Sequence, residues 1–296
     1  MSWFADALRR HQYAFFIGPS VVAVLALTGY PALHGVFISF TNLHFAFPEW
    51  RVVGFDNYLF LLADDGLPEV LLNTLVFVGA VVSLQISLGL LIALLLNRVA
   101  FGRRFMRSVA ILPWIIPAVI IGLMFQQLFN GSRLGIVNTL IAEFGFEQRG
   151  WLSSPGEAMT VMILATVWRG VPLSIILQLG GLQTIDRQLY EAAAIDGAGR
   201  WQMLRYVTLP SLKPILMINL ILATAGTLNH VDIPLALTAG GPGRATEVLA
   251  LSIYKQGFEQ LDAGYASAIA TVILLLNLAL TIAYLRILRS REHARG

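Results

Sequence analysis

The chain has 296 residues, of which 57% are hydrophobic and 12% charged. A soluble globular protein carries roughly 25% charged residues, so the composition excludes a water-covered fold and points to an integral membrane protein. The absence of cysteine excludes disulfides, thiolate metal sites and a cysteine nucleophile. A net charge of +3 is too small to argue for nucleic acid.

A helix needs roughly 20 mostly apolar residues to cross a bilayer. Six segments meet that length, at about residues 14–38, 70–97, 108–130, 158–183, 212–238 and 263–286. The fourth and fifth each carry one charge, Arg169 and Asp232. The first runs on through Gly29-Tyr30-Pro31 and is much longer than the core of a cleaved signal peptide. Pro19, Pro31, Pro113, Pro117, Pro172 and Pro234 interrupt the spans, as kinks for packing or as hinges around a pathway. Trp3, Trp50 and Trp151 fall near span ends, where indole rings anchor at the interface.

Basic residues are held on the cytoplasmic side. With the N-terminus inside, the inner segments collect Arg9 and Arg10, the run Arg98–Arg107, Arg187, Arg200, Arg205 and Lys213, and Arg286 through Arg295. The outer segments keep only Arg51, Arg133, Arg149, Arg244 and Lys255, among a larger number of acids. Both termini are therefore expected in the cytoplasm.

One long inner loop, 184–211, separates the fourth and fifth spans. It reads as helix, turn, helix. Thr184 or Asp186 can cap the first helix, Arg187 and Glu191 stand at i and i+4, and an alanine run follows. Gly197 and Gly199 supply the turn, and a second helix from about Arg200 ends as Pro210 and Pro214 open the fifth span. A helix this short is not stable alone. It packs either against its own spans or against a partner.

The residues Glu191-Ala192-Ala193-x-x-Asp196-Gly197-Ala198, followed by Leu209-Pro210, resemble the EAA loop of the permeases of ABC importers. Leu204 and Val207 stand where many relatives have Phe and Ile. The likeness extends to Gly54-Phe55-Asp56-Asn57-Tyr58, to Arg107 through Pro117, and to Asp232 through Thr246. In the last of these, Ala239-Gly240-Gly241-Pro242 is similar to the Thr-Gly-Gly-Gly-Pro loop of MalF-like sugar permeases, with Ala239 in place of the first glycine.

The resemblance implies an all-α polytopic membrane protein, a single transmembrane domain over 1–296 with six transmembrane helices, N-in and C-in. It implies carbohydrate import across a bacterial or archaeal cytoplasmic membrane, with Glu191, Ala192, Ala193, Asp196, Gly197, Ala198, Leu209 and Pro210 coupling to a partner. The implied partners are a second, MalG-like permease, a dimer of ATP-binding subunits and an extracytoplasmic substrate-binding protein that faces the Gly240-Gly241-Pro242 loop. ATP and magnesium belong to the partner ATPase, and no cofactor is expected on this chain.

A charge at membrane depth is expensive and usually faces the protein interior or water. Trp168, Arg169, Asn229 and Asp232 are therefore the candidates for the pathway, with an Arg169–Asp232 ion pair that fixes helix packing as the alternative. Metalloprotease, serine-hydrolase and phosphate-loop signatures are absent from the sequence, and the five histidines have no ligand-like spacing. An ion-coupled transporter or channel is the competing class, and it would depend on Asp232.

Overall fold

The computed structural model describes residues 17–47, 49–99, 103–132 and 134–289. Trp3, Arg9, Arg10, Arg133, Arg291, Arg295 and the first residues of the first span lie outside the described residues. Among the described residues the secondary structure is helical, with two isolated β-bridges, Thr41–Val52 and His44–Asp262. Five helices are long and apolar enough to cross a membrane, and a bent pair adds a sixth if it counts as one span.

The chain folds as two compact units. The first comprises the described residues up to Asp64 together with Ile253–Val272. Its helix α1 (Ile17–Ile38) contains a wide π turn at Leu25–Gly29, where the Tyr30 N–H reaches back to the Leu25 carbonyl. Pro31 follows directly, and a proline ring collides with the carbonyl four residues earlier in a regular helix. The wide turn makes room for it.

After α1 the backbone is held by Asn57, at the start of α2 (Asp56–Ala63). Its amide donates to the carbonyls of Ser39 at 2.9 Å and Thr41 at 2.8 Å, and the neighbouring Tyr58 hydroxyl meets Ser39 Oγ at 2.6 Å. Trp50 packs edge-on against Phe37 at 6.3 Å.

The second unit comprises Asp65–Ser252 together with the residues from Ile273 onward. Its seam is formed by α3 (Leu67–Arg98) and, further along the chain, a second long helix over Pro155–Gln183. Phe77, Val81 and Ala93 from one helix and Met162, Ala165 and Leu179 from the other are buried there. Lipid is as apolar as leucine, so such helices associate by close packing rather than by hydrophobic exclusion. Gly89 permits it, since a Cβ at that position would collide with Ser174.

The third span is not straight. Helices α4 (Arg103–Ile115) and α5 (Ala118–Leu128) meet at a bend of 96°. Pro117 is the cause: it lacks an N–H, and with ψ 135° it takes the chain out of the helical region just before α5. Helix α6 (Ile136–Glu143) follows, tied by Asn138, which donates to the carbonyls of Asn130 and Arg149 and accepts the Trp151 indole N–H at 2.9 Å. Helix α7 (Pro155–Gln183) then runs unbroken through Pro172.

The loop over 184–211 departs from expectation in its second half. Helix α8 (Arg187–Ile195) is separate, but the next helix, α9 (Arg200–Leu228), does not stop at Pro210. A second wide turn at Leu204–Thr208, with the Leu209 N–H on the Leu204 carbonyl, stands just ahead of Pro210 as the first stands ahead of Pro31. The fifth span also ends earlier than 238. Asn229 leaves the helix at φ −96°, ψ 6°, and a short helix α10 (Asp232–Thr238) begins after the break. It packs on α5, where Gly122 faces Ala236. Helices α11 (Leu249–Tyr254) and α12 (Ala263–Arg289) complete the chain.

The seam makes a prediction. Gly89→Val should destabilise the protein by about 1–3 kcal/mol through overpacking, read as a lowered melting temperature in detergent. Gly79→Val on the same helix, where an added Cβ meets nothing within 4 Å, should leave it unchanged.

Candidate functional site

Two features stand out in the second unit: a polar cavity within the helices and an uncovered helix at the end of a loop. The cavity has a volume of about 100 Å³. Gln85 of α3, Thr166, Arg169 and Ser174 of α7, Asn219 of α9 and His230 from the break after α9 supply its polar lining. Gly170 makes it possible, because a Cβ there would occupy the place of the Gln85 amide. The Gln85 amide donates to the Thr166 carbonyl at 3.5 Å, and Ser174 Oγ donates to Asn219 Oδ1 at 3.2 Å.

Three buried nitrogens on this lining have no hydrogen-bond partner: Arg169 Nε, Asn219 Nδ2 and His230 Nε2. Buried polar groups are normally paired, and an unpaired one costs about 1–3 kcal/mol. The cavity is therefore built to receive something polar, whether water or ligand.

Of the four pathway candidates, only Arg169 lines the cavity. Trp168, its neighbour, is partly exposed and leans on Phe125 with ring centres 6.0 Å apart. Asn229 is exposed and donates back to the Ala225 carbonyl of its own helix at 2.8 Å. Asp232 is exposed in the first turn of α10 and forms no ion pair with Arg169. The break at Asn229 explains both departures, since residues beyond it no longer follow the face of α9. Gln85, Ser174, Asn219 and His230 were missed. The first three are uncharged and invisible to a search for formal charge, and His230 was judged only as a metal ligand.

The uncovered helix is α8. Asp186 caps it by accepting from the Gln188 N–H at 2.9 Å, and Arg187 meets Glu191 at 3.1 Å on the exposed side. At its end the Ala198 N–H returns to the Ala193 carbonyl at 2.9 Å and the Gly197 N–H to the Ala194 carbonyl at 3.1 Å. This is a Schellman ending, with Asp196 as the last half-helical residue and Gly197 at φ 79°. A Cβ on Gly197 would meet nothing within 4 Å, so glycine is required there by the backbone angle and not by space.

Gln202 Oε1 then accepts the Gly199 N–H at 2.7 Å and opens α9. The Tyr190 hydroxyl meets Thr208 Oγ1 at 3.0 Å, which fastens α8 to the wide turn of α9. Leu209 and Pro210 lie half-buried just beyond that turn. No residue of α8 is buried, Ala192 is exposed and Ala193 half-buried. Ile195 is 87% exposed and Trp201 70%.

The loop after α10 is held from within. Ala239, Gly240 and Gly243 all have positive φ, and the Gly241–Pro242 peptide is cis. The Thr238 and Thr246 hydroxyls meet at 2.7 Å, and Thr246 donates to the Gly241 carbonyl at 2.8 Å. Asn73 of α3 holds the Arg244 carbonyl at 2.9 Å. Gly240 is buried and Gly241 and Pro242 half-buried, while Ala239 and Gly243 are exposed.

Comparison with known proteins finds a family model, the binding-protein-dependent transport system inner membrane component, matching residues 85–293. The chain is 35% identical to the sulfoquinovosyl glycerol transport system permease protein SmoG of Agrobacterium fabrum, over 93% of this chain and 90% of that protein. It is 36% identical to the trehalose/maltose transport system permease protein MalF of Thermococcus litoralis, over 93% and 92%. Its fold is similar to a chain in the crystal structure of a bacterial ABC transporter involved in the import of the acidic polysaccharide alginate, with a TM-score of 0.80 at 22% identity over 98% of this chain and 99% of that one.

The geometry of α8 yields a prediction. Replacing both caps, Asp186→Ala with Gln202→Ala, should cost the loop about 1–2 kcal/mol. Amide hydrogen exchange over 187–203 should accelerate, while the melting temperature of the whole protein stays within a degree or so of the parent, because these local bonds lie outside the core seam.

Proposed function

The chain belongs to the family of binding-protein-dependent transport system inner membrane components, and we propose that it is a permease subunit of an ATP-driven carbohydrate importer. With a second permease it forms the path for cargo delivered by an extracytoplasmic binding protein. The relatives named above are permease proteins of transport systems for sulfoquinovosyl glycerol and for trehalose and maltose, which supports carbohydrate as the cargo. The chain spans a cytoplasmic membrane with both termini inside, a placement supported by the distribution of its basic residues.

The observation that carries this reading is α8: a capped, uncovered helix on the basic side, fastened by Tyr190–Thr208 to a helix that runs unbroken to the cavity. Two ATP-binding subunits hold ATP and magnesium and receive α8 in a cleft. Glu191, paired with Arg187, orients the exposed side; Ala192 and Ala193 allow close approach; Asp196, Gly197 and Ala198 set the turn; Leu209 and Pro210 begin the stretch that carries the motion inward. When the ATPases close, α8 moves with them, α9 follows, and the cavity changes the side to which it opens. The loop around Gly240, Gly241 and Pro242 faces the binding protein.

An ion-coupled transporter would place a carboxylate in the cavity. The lining residues include no Asp or Glu, and Asp232 stands outside it.

Gly197→Val tests the coupling. A side chain at this left-handed angle costs about 1–2 kcal/mol, and tenfold in an equilibrium corresponds to about 1.4 kcal/mol. The variant should insert and co-purify with its ATPase at parental levels, hydrolyse ATP, and lose uptake by roughly tenfold. Uptake at the parental rate would contradict the role given to this turn.

A further inference from the structure

Arg169 sits at the midpoint of α7, and among the described residues it has no anionic partner. Its Nε is buried and unbonded, and neither of its other nitrogens makes a hydrogen bond to a described residue. A guanidinium at this depth is stable only when its charge is met by a carboxylate, by water or by a ligand. Asp232, the one acid of the fifth predicted span, is exposed and makes no ion pair with it, and among the described residues no acidic side chain lines the cavity.

The remaining lining points the same way. Asn219 Nδ2 is a free donor, and His230 Nε2 is unbonded. Two of the lining acceptors are engaged: Asn219 Oδ1 takes the Ser174 hydroxyl, and the Thr166 hydroxyl is turned to the Met162 carbonyl at 2.8 Å. Of these unpaired groups the guanidinium Nε is the charged one. A guanidinium binds planar, oxygen-rich anions with paired hydrogen bonds that a neutral hydroxyl cannot match. The size agrees, since about 100 Å³ admits an acid group, whereas pockets enclosing a whole ligand measure roughly 300–1,000 Å³.

We infer that this cavity receives the acid group of an anionic carbohydrate (a carboxylate, sulfonate or phosphate ester), with Arg169 as the residue that selects for it. The inference rests on the importer reading and names the chemical class of its cargo. Arg169 pairs with the anion, Asn219 donates to a second oxygen, and His230 closes the site from the break after α9. The cargo itself supplies the missing counter-charge, so the filled site is neutral while it moves.

The absence of cysteine from the chain makes a direct test possible. Gly226 lines the cavity, and a Cβ there meets nothing within 4 Å. In membranes containing the assembled importer, Gly226→Cys is treated with a sulfonated and with a trimethylammonium methanethiosulfonate, each rate corrected for reaction with a free thiol. The labelling is read on this chain alone. Anionic reagent should react about fivefold faster or more, as expected for one unscreened charge nearby, and adding Arg169→Gln should abolish the preference. Glucuronate should slow the labelling more than glucose at equal concentration.

Equal rates for the two reagents, or equal protection by the two sugars, would overturn the inference, because a partner subunit's carboxylate would then already neutralise Arg169. Co-purification of the ATPase with the Gly226→Cys chain is scored separately. Its loss would count against the importer reading, whichever reagent is faster.

Discussion

Pro210 sets the condition on which the rest of the second unit depends. Proline removes a hydrogen bond and pushes against the carbonyl four residues behind it. A regular helix would break or kink at Tyr206. The wide turn at Leu204–Thr208 takes up the strain, so one helix continues from the exposed loop to Leu228. Thr208 closes that turn and also holds Tyr190. The joint that spares α9 from breaking is therefore the joint that fastens α8 to it. Bonded structure therefore runs without interruption from α8 along α9 to Asn219.

The two other breaks have the opposite outcome. At Pro117 the chain leaves the helical region, and α4 and α5 bend by 96°. At Asn229 α9 ends, and His230 is released from helical register onto the cavity. Where the prolines and polar residues are accommodated, helices transmit. Where they are not, the chain turns and exposes side chains to the interior space. The cavity lies among these elements, with Trp114 arriving from α4, Arg169 from α7 and His230 from the second break.

Much of the loop was legible from residues alone because its signals are local. Asp186 before a helix, Arg187 and Glu191 one turn apart, and a glycine after the last turn each act within a few residues, and the structure contains all three. The end of its second helix is not legible in the same way, because Pro210 reads as a stop and the wide turn that accommodates it leaves no composition mark. The cavity was largely illegible for a different reason. Ser174 and Asn219 are 45 residues apart and meet only through packing. Gln85 reaches the site because Gly170, on another helix, leaves it room. Formal charge points to Arg169 alone in this cavity, whereas Asp232 opens a helix after a break and stands outside it.

The central claim is that α8 is the point where the ATPase grips this chain. Replacing Ile195, 87% exposed on α8, with a photoreactive amino acid and irradiating intact cells tests it most directly. The account predicts one dominant adduct, with a nucleotide-binding subunit, formed from the cytoplasmic side. Adducts confined to lipid, to this same chain or to an extracytoplasmic protein would contradict it.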